Sequence, residues 1–544
     1  MTETQLAAVS DRGFLDPKHS KYPGIFGWIF STDHKRIGLL YLYSAMGFFL
    51  IGVMIGVGMR LELLTPGRTI VSAQTYNDMF TMHGMIMIFL FLVPLPPGAF
   101  GNLFLPLHIG ANDVAFPRLN LLSWWLYVIG ALTILGTVFT PGGPPDTGWT
   151  LYVPFSTQTP HSVTMAILGI FIVGFSSILT GINMIATVHR LRAPTMKWSR
   201  LPLFVWGIYA TAWIQVLATP MLAITLLLVV AERLFHVGLF NAVKGGDPLM
   251  YQHMFWIYSH PAVYIMLLPG MGIVSEIIPV FSRKRIFGYW AMAISVLAIA
   301  GAGSLVWAHH MFVSGMSTAA VFVFSLLTFA VAIPSAIKVF NWLSTMYKGS
   351  ISLDPPMLFA LSFIFLFTIG GLSGLVLGAA ATNVPLHATD FVVGHFHYVM
   401  FGGGGVAVLG ALHYWLPKIY GKMYNKTAAT VGWAIFFIGF NLLYFSMLIL
   451  GYEGMPRRYY NYPPQFTVLN VISTVGSWVL VIGLIILLTN LIHGIFRGTP
   501  AGNNPWDART LEWTLPSPLP AENFATVPVV THGPYDFESP LESP

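Results

Sequence analysis

Twelve runs of mostly apolar residues fill most of this 544-residue chain. They lie at about 38–58, 79–105, 121–140, 162–188, 203–231, 251–278, 287–314, 318–347, 356–378, 391–415, 429–450 and 468–496. Roughly 20 such residues in a helix cross the hydrocarbon core of a bilayer. A spanning chain must also satisfy its backbone internally, so the pattern predicts an all-α membrane protein, a bundle of twelve transmembrane helices. Only 8% of the residues are charged, against about 25% in soluble domains. That excludes a soluble enzyme, a disordered chain and a nucleic-acid binder, whatever the net charge of +6. Residues 1–27 lack the apolar core of a signal peptide, and Met1–Pro17 reads as a polar tail. The chain divides into an N-terminal segment (1–37), one helical domain (38–496) and a polar, Pro-rich C-terminal tail (497–544).

An even number of spans puts both termini on one side of the membrane. If that side is the cytoplasm, its segments hold 19 Lys and Arg, among them Lys35, Arg36, Arg190, Arg200, Arg283 and Lys418. The opposite loops hold only Arg60, Arg68, Arg233, Lys244, Arg457 and Arg458, and Lys338 lies inside a span. Positive charge stays on the cytoplasmic side, so both termini are expected there, with the spans bathed in lipid.

Polar groups inside a bilayer are costly and usually functional. Six histidines fall within spans: His83, His260, His309, His310, His395 and His397. In this orientation the first, second, fifth and sixth lie near the starts of inward-running spans, and His309 and His310 near the end of an outward-running one. All six are expected at one depth. With no cysteine in the chain, a metal must be held by His, carboxylate, Tyr or Met. His395 and His397 are about 200° apart on a helix and serve two centres rather than one. His309 and His310 converge only if their helix end is distorted. His260 and Tyr264 share a face at i,i+4. Three neutral imidazoles suit copper, and a His on each side of a porphyrin suits a low-spin haem.

On these residues the chain resembles subunit I of the haem–copper terminal oxidases, in particular those fed by cytochrome c. The likeness runs from about Ile29 to Phe524. It includes Ser31-Thr-Asp-His-Lys-Arg-Ile-Gly38, Trp256 to Tyr264, Trp307-Ala-His-His310, Gly394-His-Phe-His-Tyr398, Gly454-Met-Pro-Arg-Arg458 and Asn504-Pro-Trp-Asp507. The resemblance implies that His83 and His397 are axial ligands of a low-spin haem and that His395 holds a high-spin haem. It implies copper on His260, His309 and His310, with a covalent link between His260 and Tyr264. Arg457, Arg458 and Trp149 are implied at the haem propionates. Arg60 corresponds to the arginine beside the formyl group of an A-type haem, and Glu62 to a ligand of a peripheral calcium or sodium ion. Implied partners are oxidase subunits II and III, O2, and cytochrome c or a fused or associated cytochrome domain.

The same resemblance assigns two proton routes. One passes Lys338, Ser335 and Ser275 towards Tyr264. The other starts at Asp113 and passes Asn102, Asn120, Asn183, Ser176 and Ser177. The family's usual His-Pro-Glu-Val reads His260-Pro261-Ala262-Val263 here, which resembles the subgroup with a Tyr-Ser pair, Tyr258 and Ser259, in place of the glutamate. The family's outer magnesium site uses an adjacent His-Asp; His387-Ala388 lacks the carboxylate and Asp390 would point elsewhere, so no standard magnesium site is expected. A quinol-fed oxidase is the near alternative, but Thr75 and Asp78 stand where the quinol branch carries His and Gln. Nitric oxide reductases lack the Tyr264 and Lys338 features. A twelve-span secondary transporter is the remote alternative, and it would have no use for six aligned histidines.

Overall fold

The computed structural model describes residues 13–17 and 21–537; the expected tails at 1–12, 18–20 and 538–544 lie outside them. Eleven helices are long and apolar enough to cross a membrane. They are α1 (His34–Glu62), α2 (Ala73–Ile109), α3 (Pro117–Phe139), α4 (Val163–Arg190), α5 (Leu203–Phe235), α6 (Pro248–Ser282), α8 (Thr318–Met346), α9 (Pro355–Gly378), α10 (Asp390–Tyr420), α11 (Lys426–Tyr452) and α12 (Pro464–Arg497). Between α6 and α8 stands the short α7 (Tyr289–Gly303).

The sequence predicts one continuous span over 287–314, and here the structure corrects it. The α-helix stops at Gly303, and the chain resumes as a tight 3₁₀ turn at Trp307–Met311. Gly303 sits where a Cβ would run into the ring of Tyr264, so glycine permits a close approach but weakens the helix there. The break supplies the distortion that the spacing of His309 and His310 demands.

Helix starts are written in the sequence. Asp33 accepts from Lys35 N, Ser72 from Thr75 N, Asp247 from Leu249 N and Asn425 from Ala428 N, each satisfying an amide that the first turn leaves unpaired. Because Ser72 and Asp247 cap so early, α2 and α6 begin before their apolar runs do. Gly110 and Gly421, both left-handed, end α2 and α10.

Helices consecutive in the chain pack side by side from α3 to α12, α1 packs against both α2 and α3, and α12 returns against α1. Three of them occupy the interior. In their most apolar stretches 89% of α6 and of α10 and 67% of α2 are buried, against 11% of α8. These three touch one another, and between them they carry four of the six intramembrane histidines. Two are not regular helices: α2 widens into π-turns at Ile86–Leu92 and Pro96–Gly101, and α10 does so from His397 to Gly405. Wide turns of this kind are frequent at functional sites. The outer helices face outward with apolar side chains such as Leu217 and Phe322, as lipid requires. The tail after α12 runs along one end of the bundle. A two-residue strand pair, Lys422–Met423 with Thr499–Pro500, anchors it there.

Candidate functional site

The histidines fall into three sets. In the first, His83 and His397 line one cavity of about 240 Å³. His83 Nδ1 lies 2.8 Å from Gly52 O, and His397 Nδ1 2.9 Å from Val393 O. A carbonyl can only accept, so each Nδ1 carries the proton and each Nε2 keeps its lone pair for a metal. His397 stacks on Tyr444 with ring centres 4.3 Å apart. Phe49, Met87, Phe91 and Phe396 add apolar walls, while Arg60, Asp390, Arg457 and Arg458 bring charge to the same cavity, with Trp149 beside them.

That charged group is built by pairing of loops. Asp390 N donates to Met455 O and Arg457 N to Ala388 O, each at 2.9 Å. Arg458 adopts a left-handed backbone (φ 69°) and lays its guanidinium against Gly148, also left-handed. Burial lowers the pKa of Arg457, and that of Arg458 to about 9, where Arg457 adds to the effect; both need an anionic neighbour. Arg60 Nη2 is bound by Asn470 O at 2.9 Å and Asn470 Oδ1 at 3.0 Å, yet its Nε is buried without a partner. An apolar slot with two imidazole nitrogens free and unpaired guanidinium capacity fits a haem with its propionates and a polar substituent.

The second set is His395 alone. Its Nδ1 lies 3.0 Å from Gly370 O and 3.1 Å from Ser373 Oγ, which again leaves Nε2 free. Gly374 makes room for this ring, since a Cβ there would sit 3.1 Å from its Cε1. His395 thus leans on α9 while His397 faces the α11 side, as a 200° separation requires.

The third set is His260, His309 and His310, whose ligand atoms lie within 4.8 Å of one another, the one such group among the described residues. His260 Nδ1 lies 3.0 Å from His310 Nε2, and His309 Nε2 lies 3.1 Å from that same atom. Three ring nitrogens pointed together repel unless a cation sits among them, so the trio fits a metal ion and, being all imidazole, copper. Thr328 Oγ1 spends its proton on Phe324 O, 2.6 Å away, and so accepts from His309 Nδ1 at 3.0 Å. Trp256 stacks on His310 at 3.7 Å. Tyr264 packs edge-on to His260, ring centres 4.9 Å apart, and His260 Nε2 is buried with no partner.

The residues of the two expected proton routes lie below these sets. Lys338 is buried, although α8 is otherwise mostly exposed, and its Nζ donates to Met292 O at 3.1 Å; it does not reach out to the surface. Ser335 bonds back to Val331 O, and Ser275 Oγ accepts from Trp342 Nε1 at 3.0 Å. On the other side, Asp113 stands in the loop between α2 and α3, where burial raises its carboxyl to about 6. Asn120 Nδ2 donates to Asn102 Oδ1 at 2.7 Å, and Asn183 Oδ1 accepts from Phe116 N at 2.9 Å. Ser176 Oγ shares a hydrogen bond with Tyr41 OH at 3.0 Å. What these side chains leave undone is more informative: Asn120 Oδ1, Asn183 Nδ2, Ser177 Oγ, Gln215 Oε1 and Ser259 Oγ are all buried without a partner. Buried polar atoms are ordinarily paired with protein or ordered water, so each of these groups keeps capacity for a water partner. Tyr258 is buried beside Ser259.

Two peripheral expectations concern cations. The Glu62 carboxylate already accepts from Thr69 N, Ile70 N and Val71 N at 3.0, 2.7 and 2.9 Å. A carboxylate ringed by amide donors is a poor cation ligand. His387 pairs with Asn383 Oδ1 at 3.3 Å, while Asp390 faces the cavity of His83 and His397. Sequence reasoning missed Thr328, Ser373, Tyr444, Tyr41 and Gln215. None has a telling spacing, because each is brought to its site by a different helix.

A family model described as cytochrome c and quinol oxidase polypeptide I matches residues 36–479. Cytochrome c oxidase subunit 1 of Thermostichus vulcanus is 44% identical over 524 residues, covering 96% of this chain and 94% of that protein. Its namesake in Bacillus subtilis is 42% identical, covering 95% and 83%, and that of Cereibacter sphaeroides 40%, covering 96% and 98%. Among solved structures, one described as a haem–copper terminal oxidase dimer superposes with a TM-score of 0.72 at 21% identity, over 86% of this chain and 85% of that one; it bears on the fold.

Proposed function

Since the chain belongs to the cytochrome c and quinol oxidase polypeptide I family, we propose that it is the catalytic subunit of a respiratory oxidase, reducing O2 to water with electrons from cytochrome c and pumping protons as it does so. The three relatives named above are cytochrome c oxidase subunits, which favours cytochrome c over quinol. The observation that carries the reading is the convergence of His260, His309 and His310 within 4.8 Å, beside Tyr264.

In this reading His83 and His397 hold a low-spin haem, His395 a high-spin haem and the His trio a copper ion. Bound there, these groups supply electron transfer and O2 reduction. The chain's own residues do the rest. The carbonyls of Gly52, Val393 and Gly370 fix which nitrogen of each ligand is free. Arg457 and Arg458 neutralise propionates, and the unpaired Arg60 Nε supports a formyl-bearing, A-type haem. His260 Nε2, buried and unpartnered against Tyr264, supports a covalent His–Tyr link. Tyr264 then gives up a proton next to the copper, and Lys338, Ser335 and Ser275 return one. Asp113 collects protons for the second route, which Tyr258 and Ser259 complete. Cation sites at Glu62 and at His387 form no part of the proposal.

We also assign the short α7 with its following turn to the twelfth crossing, both termini to the cytoplasmic side of a bacterial inner membrane, and subunits II and III as companions. A reduced-minus-oxidised spectrum of the purified complex, repeated under carbon monoxide, tests the core of this. Two haems of which one binds the gas are expected; a protein without haem would overturn it.

A further inference from the structure

A second cavity, of about 80 Å³, lies between the C-terminal tail, the end of α2 and the loop before α5. It shares no lining residue with the cavity of His83 and His397. Its apolar walls include Met196, Pro202 and Val530, but its character is basic: His108, Arg200, Arg509 and His532 all line it.

The charge there is not cancelled. Asp536 also lines the cavity, yet its Oδ1 lies 2.8 Å from Arg285, which does not. Glu512 is paired to His108 at 3.0 Å, and Asp507 lies 3.2 Å from Arg283 but 3.7 Å from Arg509. The three nearby carboxylates are thus engaged mainly by other cations, and two guanidinium groups are left in excess. Arg200 is held in place by donating to Thr195 O at 2.9 Å and Val530 O at 2.5 Å. Neither acceptor carries a full charge. One guanidinium donor of the lining, Arg509 Nε, is buried with no partner, and the ring of His108, wholly shielded from solvent, has only Glu512 beside its Nε2. Buried donors without acceptors are rare enough to require an explanation, and planar guanidinium groups are suited to oxyanions.

We propose that this pocket binds a phosphate group. The space admits one tetrahedral oxyanion and no nucleoside, so the group is free inorganic phosphate or the projecting phosphate of a larger molecule such as an anionic lipid. Binding would join the tail to the end of α2 and the loop before α5. The same tail already grips the Asp113 loop, through Asn523 Nδ2 on Ala111 O at 2.8 Å and Phe524 N on Asn112 Oδ1 at 3.1 Å.

The test uses the intact, purified complex, delipidated in neutral detergent without phosphate and titrated with inorganic phosphate by calorimetry and thermal unfolding. One saturable site and a rise in unfolding temperature are expected. Arg509→Gln should weaken binding about tenfold or more, the loss of one charge-assisted contact, with the haem spectrum unchanged. His532→Gln, at an exposed position of the same lining, is the second variant and should weaken it less. In parallel, the complex is placed in nanodiscs of phosphatidylcholine with or without phosphatidylglycerol and its retained lipid phosphorus measured. Arg509-dependent retention of phosphatidylglycerol without binding of free phosphate identifies a lipid headgroup and supports the proposal. Binding of neither, or binding indifferent to both substitutions, overturns it.

Discussion

The histidine-bearing parts of α2, α6 and α10 and the polar trail leading up from Asp113 are both buried and both polar, yet they are built in opposite ways. Among the histidines His83, His309, His395 and His397 each have Nδ1 committed to a neighbour, so the nitrogen that faces the centre is decided before anything binds. Along the trail, Asn120, Asn183, Ser177, Gln215 and Ser259 each keep a buried atom without a partner. A metal site gains from ligands held in one geometry and one tautomer. A proton path gains from groups whose remaining bonds go to water that can reorient. Imidazoles held in one tautomer suit the first task, and buried polar atoms left without a protein partner suit the second.

That contrast is broken most sharply at the trio of His260, His309 and His310. His310→Ala should remove copper and cut O2 consumption by a factor of about 10³ or more, with both haems retained. Copper analysis beside an optical spectrum decides it, and a copper-replete, active variant would refute the assignment. Next comes Lys338→Met, which removes the one buried amine of the shorter route. Turnover should fall about 10²-fold, within the range for lost proton transfer, while haem and copper contents stay the same; undiminished turnover would sink the route.

Thr328→Val probes the outer shell of the rigid region without touching a ligand. It leaves His309 Nδ1 without an acceptor, and copper affinity should fall about 10–100-fold, read by competition with a chelator. Retained affinity would mean that the tautomer is not set there.

The smallest effect is expected at Asp113. Burial raises its carboxyl to about 6, above the ordinary value near 3.9, so its charge costs stability. That cost is absent at pH below about 4, grows as pH rises towards 6 and is complete above it, since the unfolded chain gives up the proton first. Asp113→Asn should therefore be slightly more stable than the parent above pH 6 while taking up protons several-fold more slowly. It should also lose the inflection near pH 6 in uptake; an unchanged profile would place the entrance elsewhere.

How much of this could be read beforehand differs between the same two regions. The six histidines and Tyr264 were legible because a polar group in an apolar run stands out and because i,i+2 and i,i+4 spacings translate directly into directions around a helix. The caps at Asp33, Ser72, Asp247 and Asn425 are equally local. The interruption of the seventh apolar run was not legible. Hydropathy records only that residues are mostly apolar, as 287–314 is, whereas the helix stops at Gly303, where glycine admits the Tyr264 ring and weakens the helix. The surroundings of Glu62 were not legible for a similar reason: they are backbone amides, which leave no trace in residue identity.

The sequence by itself therefore determined the solvent of this protein, which histidines lie inside its spans and which of them could share a centre, because these follow from composition and helical period. Only the tertiary structure decided which helices are interior, which nitrogen each histidine offers and where buried donors are left unpaired. Those depend on what another helix, distant in the chain, brings alongside: Gly52 to His83, Thr328 to His309, and Gly370 and Ser373 to His395.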